Sequence, residues 1–334
     1  MSPARNSDRR TFLKAAAGSL VAVPFSLSSI AVAPSWIQAA RGEMPYRPLG
    51  KTGERVSLVG IGGAHIGYQH VEEKEATRIM HAAIDAGINF FDNSWDYNKG
   101  QSEERMGRAL ASPGKREKVF LMTKFCCHSQ GWSASAALRM LDESLKRLRT
   151  DYLDLWQIHE VIQRDHPEKA FQADSAVEAL VKAKESGKVR YVGFTGHRDP
   201  EIHLEMLKRD FPFDTVQMPL NVMDAHYRSF ENQVLPVLRE RHIGAIGMKP
   251  LGGGSRTGVI LESKVVDARE CLRYAMNLPV STVITGIISM ATLDQAIEVA
   301  TSFAPFEKEE LASLLERTRV LARDGKFENY KQWG

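Results

Sequence analysis

The chain is 334 residues long, 43% hydrophobic and 25% charged, with a formal net charge of +3. That composition fits a folded enzyme and excludes a disordered chain. A charge this close to neutral, with no basic stripe interleaved with aromatics, gives no reason to expect a nucleic-acid partner.

Residues 1–41 read as an address rather than as fold. Asp8-Arg9-Arg10-Thr11-Phe12-Leu13-Lys14 precedes an apolar, alanine-rich run from Ala15 to about Ala33. A charged start, a short apolar stretch and small residues at its end are the parts of a secretory signal. The paired arginines followed by Phe-Leu-Lys resemble the twin-arginine export motif, with Asp8 where Ser is common. Gly18, Pro24 and several serines make the run weakly hydrophobic, so no stable membrane anchor is expected. The expectation is an exported bacterial protein, periplasmic or extracellular, with the twin-arginine machinery as a partner.

From Tyr46 onward the pattern alternates. Residues 46–56 predict two short strands around the turn Leu49-Gly50-Lys51-Thr52-Gly53, placed to plug one end of the downstream barrel. Eight short, apolar strand candidates then run Ser57–Gly60, Ile88–Asp92, Lys118–Lys124, Leu153–His159, Val189–Thr195, Asp214–Met218, Ile243–Met248 and Val280–Gly286. Their near-continuous hydrophobicity suits strands buried on both faces. Between them helices are predicted at Glu72–Ala86, Ser102–Leu110, Ser133–Leu148, Ser175–Ser186, Pro200–Lys208, Asn232–Arg241 and Ala268–Asn277, then Thr292–Thr301 and Lys308–Arg323. Ser133 reads as an N-cap, and Gly87 and Gly187 as left-handed residues just past helix ends. Eight strands alternating with helices predict a parallel sheet. No Gly-x-Gly-x-x-Gly follows the first strand, which removes the best support for a dinucleotide-binding open sheet. Residues 42–334 are therefore read as a single α/β domain, a (β/α)8 TIM barrel with a C-terminal helix.

Chemistry in such a barrel gathers at the C-terminal ends of its strands. The second strand ends at Asp92 with Tyr97 on the following loop, the third at Lys124 and the fourth at His159. A tyrosine titrates near 10, too high for easy proton traffic at neutral pH. An ammonium beside it should lower that value, a carboxylate should hold the ammonium, and a histidine can donate to a carbonyl oxygen. The set has no nucleophile with an attached base. It has no metal-ligand spacing either, because no Cys-x-x-Cys occurs among Cys126, Cys127 and Cys271, which read as buried free thiols. Hydride from a bound nicotinamide fits the vacant role.

Several segments together carry a resemblance. They are the stretch 46–53, Phe91-Asp92-Asn93-Ser94-Trp95-Asp96-Tyr97, Thr123-Lys124, Asp154-Leu155-Trp156-Gln157-Ile158-His159, Gly193-Phe194-Thr195, Gln217-Met218-Pro219-Leu220-Asn221 and Lys249-Pro250-Leu251-Gly252. In that order, over about residues 46–304, the chain resembles the aldo/keto reductase superfamily. The resemblance implies a catalytic tetrad of Asp92, Tyr97, Lys124 and His159, all present. It implies NADP(H), or alternatively NAD(H), lying across the barrel opening, with Thr195 and Gln217 on the carboxamide. Leu251, Gly252, Gly253 and Arg256 would lie along the pyrophosphate, and Met248 stands where an aromatic usually stacks on the nicotinamide. Gly196 replaces a usual Asn, and Gly286, Thr292, Gln295 and Ala296 stand where NADP-specific members carry a basic grip and a Glu-Asn pair. Some exported relatives add a ferredoxin-like extension; with no cysteine after Cys271, no iron–sulfur cluster is expected. The function implied is reduction of a small aldehyde or ketone to an alcohol, with Tyr97 as general acid. The alternative is a cofactor-sensing regulatory module with slow or no turnover, like the potassium-channel β subunits. Candidate substrate-lining residues are His65, Trp95, His128, Trp132 and Glu160.

Overall fold

The computed structural model describes residues 42–253 and 258–332, without the side chain of His128. Residues 1–41, expected to direct export, and Gly254, Ser255 and Arg256 of the loop expected along the pyrophosphate, lie outside the described residues. The described residues form ten strands: β1 (Tyr46–Pro48), β2 (Arg55–Ser57), β3 (Val59–Gly62), β4 (Phe90–Asp92), β5 (Phe120–Phe125), β6 (Leu153–Ile158), β7 (Val189–Thr195), β8 (Thr215–Pro219), β9 (Gly244–Met248) and β10 (Thr282–Gly286). The last eight close a parallel barrel in the order β10-β3-β4-β5-β6-β7-β8-β9. The first barrel strand begins two residues later than the sequence suggests, because Ser57 belongs to the preceding hairpin.

Strand residues point alternately to opposite faces. One set, Phe90, Phe120, Met122, Leu155, Ile246 and Ile284, packs with Leu49 and Val56 of the β1–β2 hairpin. The hairpin is thus the expected plug. It is pinned by Arg47, which donates to the Met276, Leu278 and Val280 carbonyls, and by Lys51 N bonding to the His242 carbonyl at 2.9 Å. Gly50 has φ +54, and a Cβ there would meet the backbone around Gly244. The opposite set, including Phe91, Leu121, Trp156 and Val216, joins the larger core beneath the helices.

The helices begin and end where the chain supplies caps. Ser133 accepts from Ala136 N at the start of helix Ala134–Leu148, and Gly87 and Gly187 hold φ of +87 and +73. Asp267 and Glu270 form a reciprocal cap on helix Ala268–Asn277. One expected helix is two: Phe230–Gln233 and Leu235–Glu240, broken at Val234, where Pro236 lacks the N–H a continuous helix needs. Short turns of helix at Gly63–Ile66, Cys127–Gln130 and His166–Ala170 were not expected; four or five residues are too few to show a period. Beyond helix Lys308–Ala322 the tail turns back and buries Glu328, Tyr330 and Lys331. Among the described residues no helix is long and apolar enough to cross a membrane.

Candidate active site

Alternation also delivers the polar residues. Asp92 shares a face with Phe90, Lys124 with Phe120 and Met122, and His159 follows Leu155 and Gln157, so the apolar column filling the barrel ends in three ionisable groups. Lys124 is 1% exposed. Its ammonium pairs with Asp92 Oδ1 and donates to the Asn93 carbonyl at 2.7 Å. Gln217 Nε2 donates to the other Asp92 oxygen at 3.1 Å.

Tyr97 opens a turn unlike any other in the described chain. Asn98, Lys99 and Gly100 hold φ of 52, 58 and 86 in succession, a left-handed path that non-glycine residues adopt at a cost. Asn98 Nδ2 ties it to the Ala64 carbonyl at 2.8 Å. The turn sets the Tyr97 ring 5.1 Å from the Lys124 ammonium and edge-on to His159, with ring centroids 5.6 Å apart at 80°. Burial, reinforced by Asp92, Asp96 and Glu160, pushes the Tyr97 hydroxyl well above its usual value. This corrects the expected depression: Asp92 neutralises the Lys124 charge, so no net cation faces the phenol.

Behind His159 lies a cluster that the sequence did not single out. Its Nδ1 is 3.0 Å from Ser94 Oγ, 3.0 Å from Cys126 Sγ and 3.4 Å from Asp96 Oδ1. Ser94 donates to Asp96 Oδ1 at 2.6 Å. Burial opposes ionisation of Asp96, yet hydrogen bonds and charge from His159, with the Ser94 hydroxyl, hold its carboxyl well below the usual range. Burial pushes the Cys126 thiol far up, so it keeps its proton. The ligand atoms of Asp96, Cys126 and His159 lie within 4.8 Å of one another, a grouping that these mutual hydrogen bonds account for. All three cysteines are buried and free, as expected.

Asp92, Tyr97, Lys124 and His159 open on one cavity of about 340 Å³. Thr195, Met248, Leu251, Gly252 and Gly253 line it as the sequence predicts, and so do His65 and Glu160. Gln217 does not line it; that side chain lies behind Asp92, with Oε1 buried and unpartnered among the described residues. Trp95 points to the outer helix and donates to Glu143 at 2.7 Å, and Trp132 packs edge-on against His166. Gly196 replaces the usual Asn because a side chain there would run into the Val161 carbonyl and the His203 ring.

The cavity also has walls the sequence did not disclose. Tyr68 packs at a tilt against His65, with ring centroids 5.1 Å apart. Both His65 ring nitrogens are buried without partners among the described residues, and burial pulls its pKa down to about 4. His197 meets Glu160 at 3.2 Å, and the Lys249 ammonium lies over the Tyr330 ring at 5.3 Å. Tyr330 comes from the C-terminal tail, which no motif marks. Ser94 and Asp96, by contrast, lie inside the Asp92–Tyr97 segment, and Cys126 is two residues beyond Lys124 on the same face; strand alternation was the signal that would have found it.

The cavity fits a nicotinamide cofactor. Gly62, Gly63, Gly252, Gly253 and Gly286 all line it without side chains. A Cβ at Gly286 would enter the His65 ring, and one at Gly252, where φ is +70, would come within 2.7 Å of Ile260 Cγ1. The Thr195 side chain, which lines the cavity, can bond an amide there.

A parallel barrel with acid, lysine, tyrosine and histidine at one opening is an oxidoreductase architecture. The family model described as "Aldo/keto reductase family" matches residues 58–268. An uncharacterized oxidoreductase, YrpG, of Bacillus subtilis is 35% identical over 239 residues, 66% of this chain and 70% of its own length. The L-galactose dehydrogenase of Arabidopsis thaliana is 33% identical over 223 residues, 64% of this chain and 68% of its own. Among solved structures, aldo-keto reductase AKR11C1 from Bacillus halodurans in its holo form superposes with a TM-score of 0.67 at 25% identity, covering 82% of this chain and 96% of that one. The chain belongs to the aldo/keto reductase family of oxidoreductases, whose members use NAD(P)H.

Proposed function

We propose that this protein reduces an aldehyde or ketone to an alcohol, with Tyr97 giving the proton and NADPH as the favoured reductant. The observation that carries the reading is the convergence of Tyr97, Lys124, Asp92 and His159 on one glycine-walled cavity. When bound, the nicotinamide supplies a hydride to the carbonyl carbon. The chain's part is to protonate the oxygen as charge develops there. Tyr97 keeps its proton across the neutral range, since burial pushes its hydroxyl up. Lys124 is fixed by Asp92 and Asn93 beneath the ring, and His159 stands across from Tyr97 to hold the same oxygen. Thr195, which lines the cavity, would hold the carboxamide, Gln217 supports Asp92 from behind, and Leu251 to Gly253, with Arg256, would hold the phosphates. No basic residue occupies Gly286, Thr292, Gln295 or Ala296, so we expect weak discrimination between NADPH and NADH.

We also propose that residues 1–41 direct export by the twin-arginine route, so that the barrel works outside the cytoplasm with its cofactor loaded before transport. The support is the Arg9-Arg10 pair directly before the apolar run. A reporter fused behind residues 1–41 should leave the cytoplasm, and replacing both arginines by lysine should retain it.

The deciding experiment for the activity is fluorescence titration with NADPH and NADH beside turnover on 4-nitrobenzaldehyde. Binding with turnover that Tyr97→Phe abolishes supports the reading. No binding of either nucleotide overturns it.

A further inference from the structure

Among the described residues, Asp92 and Glu160 are the carboxylates that line the cavity, and both have partners. Asp92 is held by Lys124 and Gln217, and Glu160 meets His197 at 3.2 Å. Behind the wall, Glu328 is held by Lys331, Tyr330 and Asn221. One ammonium in the wall is not matched in this way. Lys249, on the loop that leaves β9, lines the same cavity as Tyr97, Lys124 and His159, and no carboxylate among the described residues lies within ion-pair distance of it. Its neighbour is the Tyr330 ring, 5.3 Å from the ammonium. The face of an aromatic ring attracts a cation without neutralising it. The backbone below is fixed, because the Lys249 carbonyl accepts from Asn221 Nδ2 at 3.3 Å and from Gly252 N at 2.9 Å.

The surrounding charges show which end of the cavity Lys249 serves. The ionic groups that act on its ammonium are Glu160, Lys124 and Asp92, all at the reacting end. The other basic groups of the wall do not compete for an anion. Burial brings His65 down to about 4, so it is neutral at neutral pH, and lowers His197 as well. The Lys124 charge is taken by Asp92. Burial lowers Lys249 too, and an anion placed beside it would restore what burial removes.

We propose that Lys249 is a specificity-determining residue that holds an anionic group of the substrate, so that the preferred substrates are carbonyl compounds carrying a carboxylate or a phosphate. This names the substrate class of the carbonyl-reduction reading and rests on it. A neutral substrate leaves the ammonium without a counter-charge beside the reacting carbonyl. An acidic one supplies that charge through a charge-assisted hydrogen bond and is oriented by it, which leaves its carbonyl end for Tyr97. The ammonium is a compact point charge with three rotatable donors, so it accepts either kind of anion.

The test uses two aldehydes of nearly the same shape that differ by a single negative charge, 4-formylbenzoate and 4-nitrobenzaldehyde. The ratio of their kcat/KM values, acid over neutral, is measured at saturating NADPH in wild type, Lys249→Met and Lys249→Arg. Comparing that ratio between variants cancels the difference in intrinsic reactivity of the two carbonyls. Lys249→Met should lower it about tenfold or more, and Lys249→Arg should keep most of it. Calorimetric titration with benzoate and with phenyl phosphate, with and without NADP+, reads the same site without turnover. Wild type should bind at least one of them about tenfold more tightly than Lys249→Met does, and the tighter of the two names the anion. The competing source of an anion is the cofactor. If Lys249→Met weakens NADPH binding and leaves the aldehyde ratio unchanged, the ammonium serves the cofactor's phosphates and the proposal is overturned. An unchanged ratio with unchanged NADPH binding overturns it as well. A wild-type chain that reduces neither aldehyde overturns the reductase reading separately; the anion site then stands or falls on whether benzoate or phenyl phosphate binding depends on Lys249.

Discussion

Lys124 lies beneath Tyr97 with its ammonium 5.1 Å from the ring centroid, yet it bonds to Asp92 at the end of β4 and to the adjoining Asn93 carbonyl. The lysine is thus a charge held in place by its carboxylate rather than a free cation under the phenol. Burial, with the Asp92 charge nearby, raises the Tyr97 hydroxyl and makes Tyr97 a proton donor that is loaded at neutral pH. Tyr97→Phe keeps the ring and its edge contact with His159 but removes the proton. Turnover should fall by about 10² to 10⁴, with NADPH affinity within about twofold of wild type. Fluorescence titration and single-turnover absorbance separate the two; a loss of affinity matching the loss of rate would mean that the phenol serves binding instead.

The turn that aims Tyr97 depends on Gly100. Its φ is +86, and a Cβ there would come within 2.6 Å of the Arg147 guanidinium. Arg147 in turn donates to the Trp95 carbonyl and pairs with buried Glu103. Gly100→Ala adds backbone strain and pushes against this pair, so it should destabilise by about 1 kcal/mol or more. It should also lower kcat without changing cofactor affinity, since no cofactor-binding candidate lies in the turn. Thermal unfolding and kcat measured together check this; a stability loss with unchanged kcat would show that the turn does not set the aim of Tyr97.

The tail is anchored by Lys331, whose side chain is 0% exposed and pairs with Asp224 at 2.5 Å and Glu328 at 2.9 Å. Glu328 also accepts from Tyr330 and Asn221. Lys331→Met leaves two carboxylates buried without their cation, which should cost about 3–5 kcal/mol. Because Tyr330 forms part of the cavity wall, loosening the tail should raise KM for the carbonyl more than it lowers kcat. Tyr330→Phe, which keeps the ring, should leave KM near wild type. Equal KM in Lys331→Met and wild type would remove the tail from substrate binding.

The strands announced themselves because the barrel makes each one a short apolar run, and three of the tetrad residues because a polar side chain ending such a run has nowhere to point but the opening. Asp92, Lys124 and His159 are legible for that reason. Lys249 is not, since it holds a positive φ of 56 on a loop, where side-chain direction follows the local turn rather than a period. Tyr330 was invisible for a different reason. It reaches the cavity only through the buried pairing of Lys331 with Asp224, 107 residues apart in sequence, and no local pattern encodes that separation. The sign of the Tyr97 shift was misjudged because residue types alone do not show that the hydroxyl is buried.

Glu231 should make the stability of the fold depend on pH. It follows Phe230 at the start of helix Phe230–Gln233, and Tyr274 donates to its Oε2 at 2.6 Å. Burial, with Asp224 nearby and the Tyr274 bond opposing, raises its pKa from 4.5 to about 7. The folded state therefore binds this proton more tightly than the unfolded chain. The favourable contribution is fully present below the unfolded value of 4.5 and is lost as pH rises through about 7. Glu231→Gln keeps an acceptor for Tyr274 and removes the titration. The variant should match wild type near pH 5 and become progressively more stable relative to it up to about pH 8. Denaturant unfolding at several pH values reads this as a widening gap in midpoint. A gap that stays constant, or that opens on the acid side, would mean that Glu231 is ionised in the folded protein and stabilised by its neighbours.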